Sequence, residues 1–239
     1  MNEESQRKEE SQRKSVIQTG PFLGTNCETV QKNRYRYMIV FFCLVLGLNA
    51  LLYPAGTENM TPSVFMRLPK TRQSTNYSCG PAALQSVLHY YGAEFREDVL
   101  IKNLKATPEN GTNYREIANF AKSQGFDVQI CQGMTLDQLK LFLHQKQPVI
   151  IALQAWAENE VNYMEDWEDG HYVVAIGYDD QRIYFMDPST LGNYTYIPTS
   201  AFLQRWHDTD ADNTRLVQFG MVITKQEPVY DPDTFIYMK

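Results

Sequence analysis

Residues Gln73 to Gly92 read QSTNYSCGPAALQSVLHYYG. From Cys79 onward the apolar side chains fall at Ala83, Leu84, Val87, Leu88 and Tyr91, the spacing of one buried helix face. Pro81 fits only a first helical turn, so it marks the helix start. Gly92 stands where a left-handed cap ends such a helix. Cys79 therefore meets the unpaired N–H groups and the positive end of the helix dipole, and both favour thiolate over thiol. Thiolate is the nucleophilic form of cysteine, so this placement activates it. Gln73, six positions upstream, offers a side-chain N–H one short loop away. Ser78 reads either as the N-cap or as plain loop. The competing reading of Cys79 is a buried structural cysteine.

A nucleophilic thiol needs a base, and the chain has four histidines, His89, His144, His171 and His207. His89 lies ten residues past Cys79 in the same helix, about 15 Å along its axis and out of reach. His144 falls on the polar face of an amphipathic helix. His207 follows Trp206 near a helix end and reads as a capping or surface group. His171 differs: it opens HYVVAIGYDD, a β-rich run that pairs with RIYFMD (Arg182 to Asp187) as a hairpin turning at Asp179 to Gln181. That pairing brings His171 and Asp187 to the same end of the hairpin. A carboxylate there accepts Nδ1–H of the imidazole, fixes its tautomer and stabilises the imidazolium. The alternative for Asp187-Pro188 is a simple turn start.

These residues resemble the C39-type cysteine peptidases, a branch of the papain-like group whose best-known members cleave leader peptides after a double glycine. The resemblance runs over roughly Ser63 to Thr224. It rests on Gln73, Cys79-Gly80-Pro81-Ala82-Ala83-Leu84, Tyr91-Gly92, Gly170-His171-Tyr172-Val173-Val174 and Asp187-Pro188. It implies an α+β papain-like fold, with a helical half and an antiparallel sheet half. It further implies Cys79 as nucleophile, His171 as general base and acid, and Asp187 orienting the histidine. Gln73 and the Cys79 backbone N–H would form the oxyanion hole. The expected activity is thiol-dependent hydrolysis of a peptide or protein through an acyl-enzyme. Transfer of the acyl group to an amine, or a peptide-binding domain without catalysis, are the alternatives. Two features depart from the family pattern. Ser78 stands where many members carry Asp, and no G-x-x-x-x-G-K-[ST] phosphate loop accompanies the domain.

Upstream, Met38 to Tyr53 reads MIVFFCLVLGLNALLY without a charge. Lys32, Arg34 and Arg36 precede it, and no lysine or arginine follows until Arg67. That asymmetry predicts one transmembrane helix, extended to residues 38–55, with a cytosolic N-terminus and an extracytoplasmic catalytic domain. A cleaved signal that releases the domain outside the cell or into a periplasm is one alternative. A buried helix of a soluble protein is the other. Residues 1–37 carry the hexamer EESQRK twice in tandem and read as a disordered charged tail. Residues 56–62 form a linker, 63–226 the peptidase domain and 227–239 a C-terminal extension.

The chain carries a net charge of −6, and the tail contributes +2, so −8 falls on the remainder. A basic nucleic-acid surface is therefore excluded, and the expected partners are a peptide substrate and, through the N-terminal helix, a membrane. The four cysteines, Cys27, Cys43, Cys79 and Cys131, do not form a disulfide framework, and a Cys79–Cys131 bond would abolish activity. No metal motif and no cofactor motif is present. Helices are predicted over Phe95–Leu104, Asn113–Ser123, Leu136–Lys146 and Thr199–Trp206. Strands are predicted over Asp127–Cys131, Pro148–Leu153 and Leu216–Thr224. AENEVNYMEDWEDG (residues 157–170) holds six acidic residues and no basic one. It reads as a solvated loop, as a cleft-edge loop attracting basic peptides, or as a weak calcium loop. Sequons stand at Asn59, Asn76, Asn110 and Asn193, and a glycan on Asn76 would crowd the Cys79 site.

Overall fold

PVIIAL and HYVVAIG are near-continuous apolar runs, and such runs belong in strands covered on both faces. The computed structural model, which describes residues 61–238, places them as β3 (Val149–Gln154) and β4 (Gly170–Tyr178) at the centre of a seven-stranded sheet. Every residue of β3 is buried. The sheet order is β2-β9-β3-β4-β5-β6, with β1 (Val64–Phe65) added alongside β4, and all pairings are antiparallel. The remaining strands of the sheet are β2 (Asp127–Cys131), β5 (Arg182–Met186), β6 (Thr195–Pro198) and β9 (Gly220–Thr224). A separate ribbon pairs β7 (His207–Thr209) with β8 (Arg215–Val217).

Helix α1 (Cys79–Tyr90) packs on β4, with α2 (Glu97–Asn103) and α3 (Tyr114–Ser123) beside it. Its buried face includes Ala83, Leu84, Val87 and Leu88, as the spacing predicts. Gly92 takes φ +84° and closes the helix through a bond from its N–H to the His89 carbonyl. Helix α4 (Leu136–His144) begins in a capping box between Thr135 and Gln138 and packs on β4 and β3. Helix α5 (Thr199–Arg205) leans on β5 and β6. In the C-terminal extension, the N–H groups of Val229 and Tyr230 donate to the Tyr90 carbonyl.

Two sequence expectations need correction. The run predicted as one strand, Leu216–Thr224, is two strands broken at Gln218, which takes φ +48°. The break turns Phe219 fully into the core and lets the Trp206 indole donate to its carbonyl at 2.8 Å. The burial of two large aromatics outweighs strand continuity here. The short strands β1, β6 and β7 went unpredicted, because runs of two to four residues carry no usable period. The charged tail (1–37) and the apolar segment (38–55) lie outside the described residues. Among the described residues, no helix is long and apolar enough to cross a membrane.

Candidate active site

The nucleophile loop and α1 set Cys79 at the first position of the helix, partly exposed, with its thiol free. Cys131 is buried at the end of β2, and no disulfide joins it to Cys79. Ser78 precedes the helix without a side-chain cap. Its buried hydroxyl instead accepts from Thr75 N–H at 3.1 Å and donates to Thr75 O at 3.3 Å, which closes the loop behind the thiol. Gly80 packs against Thr112. A Cβ at 80 would stand 2.8 Å from the Thr112 Cβ, so only glycine lets that loop approach.

His171 arrives from β4 and Asp187 from the end of β5. Both are buried, and the His171 Nε2 meets Asp187 Oδ1 at 2.8 Å. The Cys79 side chain lies near enough to the ring to raise its pKa. Nδ1 is the nitrogen left for the thiol, so the ring stands in the reverse orientation to the one expected from sequence. The carboxylate holds Nε2, not Nδ1.

A β-bulge makes this pairing possible. Near the turn, Tyr178 pairs with Ile183 and Gly177 with Tyr184; beyond the bulge, Ala175 pairs with Phe185 and Val174 with Met186. Continued onward, the second register sets Asp187 opposite Val173, on the same face as His171. The first register would set it opposite Val174, on the other face of the sheet.

Burial works against the imidazolium, but the hydrogen bonds to Asp187 and Cys79 outweigh it and carry the His171 pKa up to about 9. Burial also works against the Asp187 carboxylate. The contact with His171 and the N–H groups of Ser189 and Trp156 reverse this and hold it below the usual carboxylate range.

Trp156 was not singled out by its sequence context. Its indole N–H donates to Asp187 Oδ2 at 3.1 Å, while its backbone takes φ +64°. A left-handed tryptophan is uncommon, and nothing in the surrounding residues signals it. Gln73 is tied to the corner after β5. Its backbone N–H donates to Pro188 O at 3.0 Å, and its side-chain oxygen accepts from the Ser189 hydroxyl at 3.1 Å. One hydrogen of its amide nitrogen is spent on Thr75 O at 2.8 Å, which leaves the second.

The remaining histidines stand apart from this group. His89 faces Glu94 and Tyr230, and His144 ends α4. His207 is buried, not a cap or surface group. Its Nε2–H donates to the Asp166 carbonyl at 2.7 Å, and its ring lies against Trp167 at 4.4 Å. Strand β7 thereby pins the acidic loop, and Trp167 and Glu168 line a cavity that also reaches Cys79. Among the described residues, no group of three or more acidic, histidine or cysteine side chains is arranged to hold a metal.

The sequence model of the peptidase C39 family matches residues 67–209. An uncharacterized protein of Methanothermobacter marburgensis is 30% identical over 118 residues, covering 49% of this chain and 70% of that protein. The lactococcin-A transport/processing ATP-binding protein LcnC of Lactococcus lactis is 25% identical over 178 residues. That match covers 69% of this chain but only 23% of the much longer relative. Among solved structures, a C39-like peptidase from Bacillus anthracis superposes with a TM-score of 0.54 at 18% identity, over 69% of this chain and 98% of that one. It shares the fold: a helical region against an antiparallel sheet. With the family match spanning more than half of its length, the chain belongs to the peptidase C39 family and is a cysteine peptidase.

Proposed function

We propose that the chain hydrolyses peptide bonds through a Cys79–His171–Asp187 triad and an acyl-enzyme. The observation that carries this reading is the buried His171–Asp187 pair at 2.8 Å, with Cys79 near enough to the ring to raise its pKa. With its pKa near 9, His171 holds a proton at neutral pH, beside the Cys79 sulfur. The thiolate attacks the carbonyl carbon, and the developing oxyanion is met by the Cys79 backbone N–H and the second amide hydrogen of Gln73. His171 passes its Nδ1 proton to the leaving amine. Water, deprotonated by the same nitrogen, then releases the acyl group and restores the thiolate. Asp187 keeps the ring in register and stabilises its charge. Trp156 acts as a positioning residue on the second carboxylate oxygen.

Alkylation of the full chain by iodoacetamide at pH 7 tests the pairing. Cys79 is expected to react roughly tenfold faster than Cys79 of His171→Ala, because the imidazole is the base that activates the sulfur. Equal rates in the two proteins would sink the triad.

We take residues 63–226 as the peptidase domain and 227–239 as an extension, a division supported by the membership of β1 and β9 in one sheet. We assign residues 38–55 as its membrane anchor, the catalytic domain lying on the extracytoplasmic side. The support is the basic cluster before the apolar run and its absence after it. In sealed cells, externally added protease is expected to degrade the catalytic domain and spare an epitope on the tail (1–37). Protection of the domain would reverse the topology.

A further inference from the structure

Beside Cys79 opens a cavity of about 360 Å³, within the size range of small ligand pockets. Asp208 and Asp210 form part of its wall, as do Glu109 and Glu168, and no lysine, arginine or histidine lines it. We propose that this cavity is a substrate subsite for a cationic side chain, arginine or lysine, whose charge ends on Asp208 and Asp210. The inference rests on the peptidase reading above and names the substrate class.

The carboxylates are built into the fold. The Asp210 side chain is 1% exposed. Its Oδ1 accepts from Tyr114 N–H at 3.3 Å and from the Tyr172 hydroxyl at 3.4 Å. Its Oδ2 is buried and has no hydrogen-bond donor. The nearest cation, Arg115, stands 3.9 Å from Oδ2 but is committed to Asp212 at 2.6 Å. The Thr112 hydroxyl, on the same cavity wall, is likewise buried without a partner. Buried acceptors without donors are rare and call for an explanation. A guanidinium or ammonium, which carries only donors, supplies what both lack.

Asp208 Oδ1 accepts from Gln154 Nε2 at 3.1 Å and from Thr209 N–H at 2.7 Å. Burial nevertheless pushes its pKa up to about 7, with the Asp210 charge adding to the rise and His171 opposing it. Gly170, the residue before His171, makes room for it: a Cβ there would stand 2.2 Å from Asp208 Oδ1. An organic cation fits better than a metal ion, since these groups do not converge in a metal-ligating set.

The test uses the full chain and a mixed octapeptide library containing arginine, lysine and their neutral counterparts citrulline and norleucine. Mass spectrometry of the products is expected to show about a tenfold preference for arginine over citrulline within four residues of the cut bond. The preference is expected to fall below threefold in Asp210→Asn, and in Asp208→Asn as an independent variant. Because the readout is a ratio within one protein, a general loss of activity does not mimic it. The same library is equilibrated with the Cys79→Ala chain, and its bound members are identified. Cutting without cation preference, or a preference unchanged in both variants, overturns the subsite and leaves the peptidase reading intact. Arginine-selective retention without any cutting by the wild type overturns the peptidase reading and supports the subsite. Neither cutting nor selective retention overturns both.

Discussion

Alanine at His171 is expected to lower kcat/KM for a cleaved peptide by about 10³-fold or more, and Cys79→Ala by at least as much. The two side chains act as one unit. Without the imidazole, the sulfur is a thiol and the leaving amine has no acid. Without the sulfur, the imidazole has nothing to pair with. The double variant is therefore expected to be no slower than either single one. Cys79 opens a helix, and the pairing of His171 with Leu153 runs through the backbone, so the variants should keep the wild-type near-ultraviolet circular dichroism. The measurement is single-turnover cleavage of a library-derived peptide by the three full-length variants. Multiplicative losses in the double variant would mean that the two residues serve separate steps, and the shared mechanism would fail.

Asp187→Asn is expected to slow cleavage by about 10²-fold at pH 8 and to shift the basic limb of the pH profile downward. In the wild type, activity on the alkaline side should fall as the pair loses its proton near pH 9. Burial alone disfavours the His171 cation, and the hydrogen bond to the carboxylate is the largest contribution that opposes burial. With an amide in its place, the limb should move toward the ordinary imidazole value of 6.5. At pH 8, that shift alone removes most of the protonated form. Loss of ring alignment accounts for the rest.

Stability should change in the same window. The folded-state pKa of His171 is raised, so its contribution is fully present below 6.5 and is lost as pH rises toward 9. Wild-type resistance to urea should therefore decline between those pH values, and Asp187→Asn should decline less. An unshifted limb would remove the carboxylate from the mechanism.

The helix that carries Cys79 was legible because its signals are local. Period, first-turn proline and capping glycine all lie within Cys79 to Gly92, and they force the same geometry in any context. Strand β2 and the buried runs of β3 and β4 were legible for the same reason, as was the turn between β4 and β5. The break at Gln218 was not, since it sets the Phe219 ring against Tyr114 and its carbonyl on the indole of a tryptophan thirteen residues earlier. Trp156 was also silent: its left-handed backbone is held by a bond to Asp187, which the chain reaches only after another hairpin.

Sequence by itself thus named the candidate groups of the proposed site: a thiol at a helix start, an imidazole opening one strand and a carboxylate closing the next. Their convergence was decided in three dimensions. One extra residue between Ala175 and Gly177 moves Asp187 onto the face of His171, and strand parity is a property of paired backbones that no single strand encodes. The acidic cavity followed the same rule. Asp208 and Asp210 lie far from Cys79 in the chain and share a cavity with it only because β7 packs against β3 and β4.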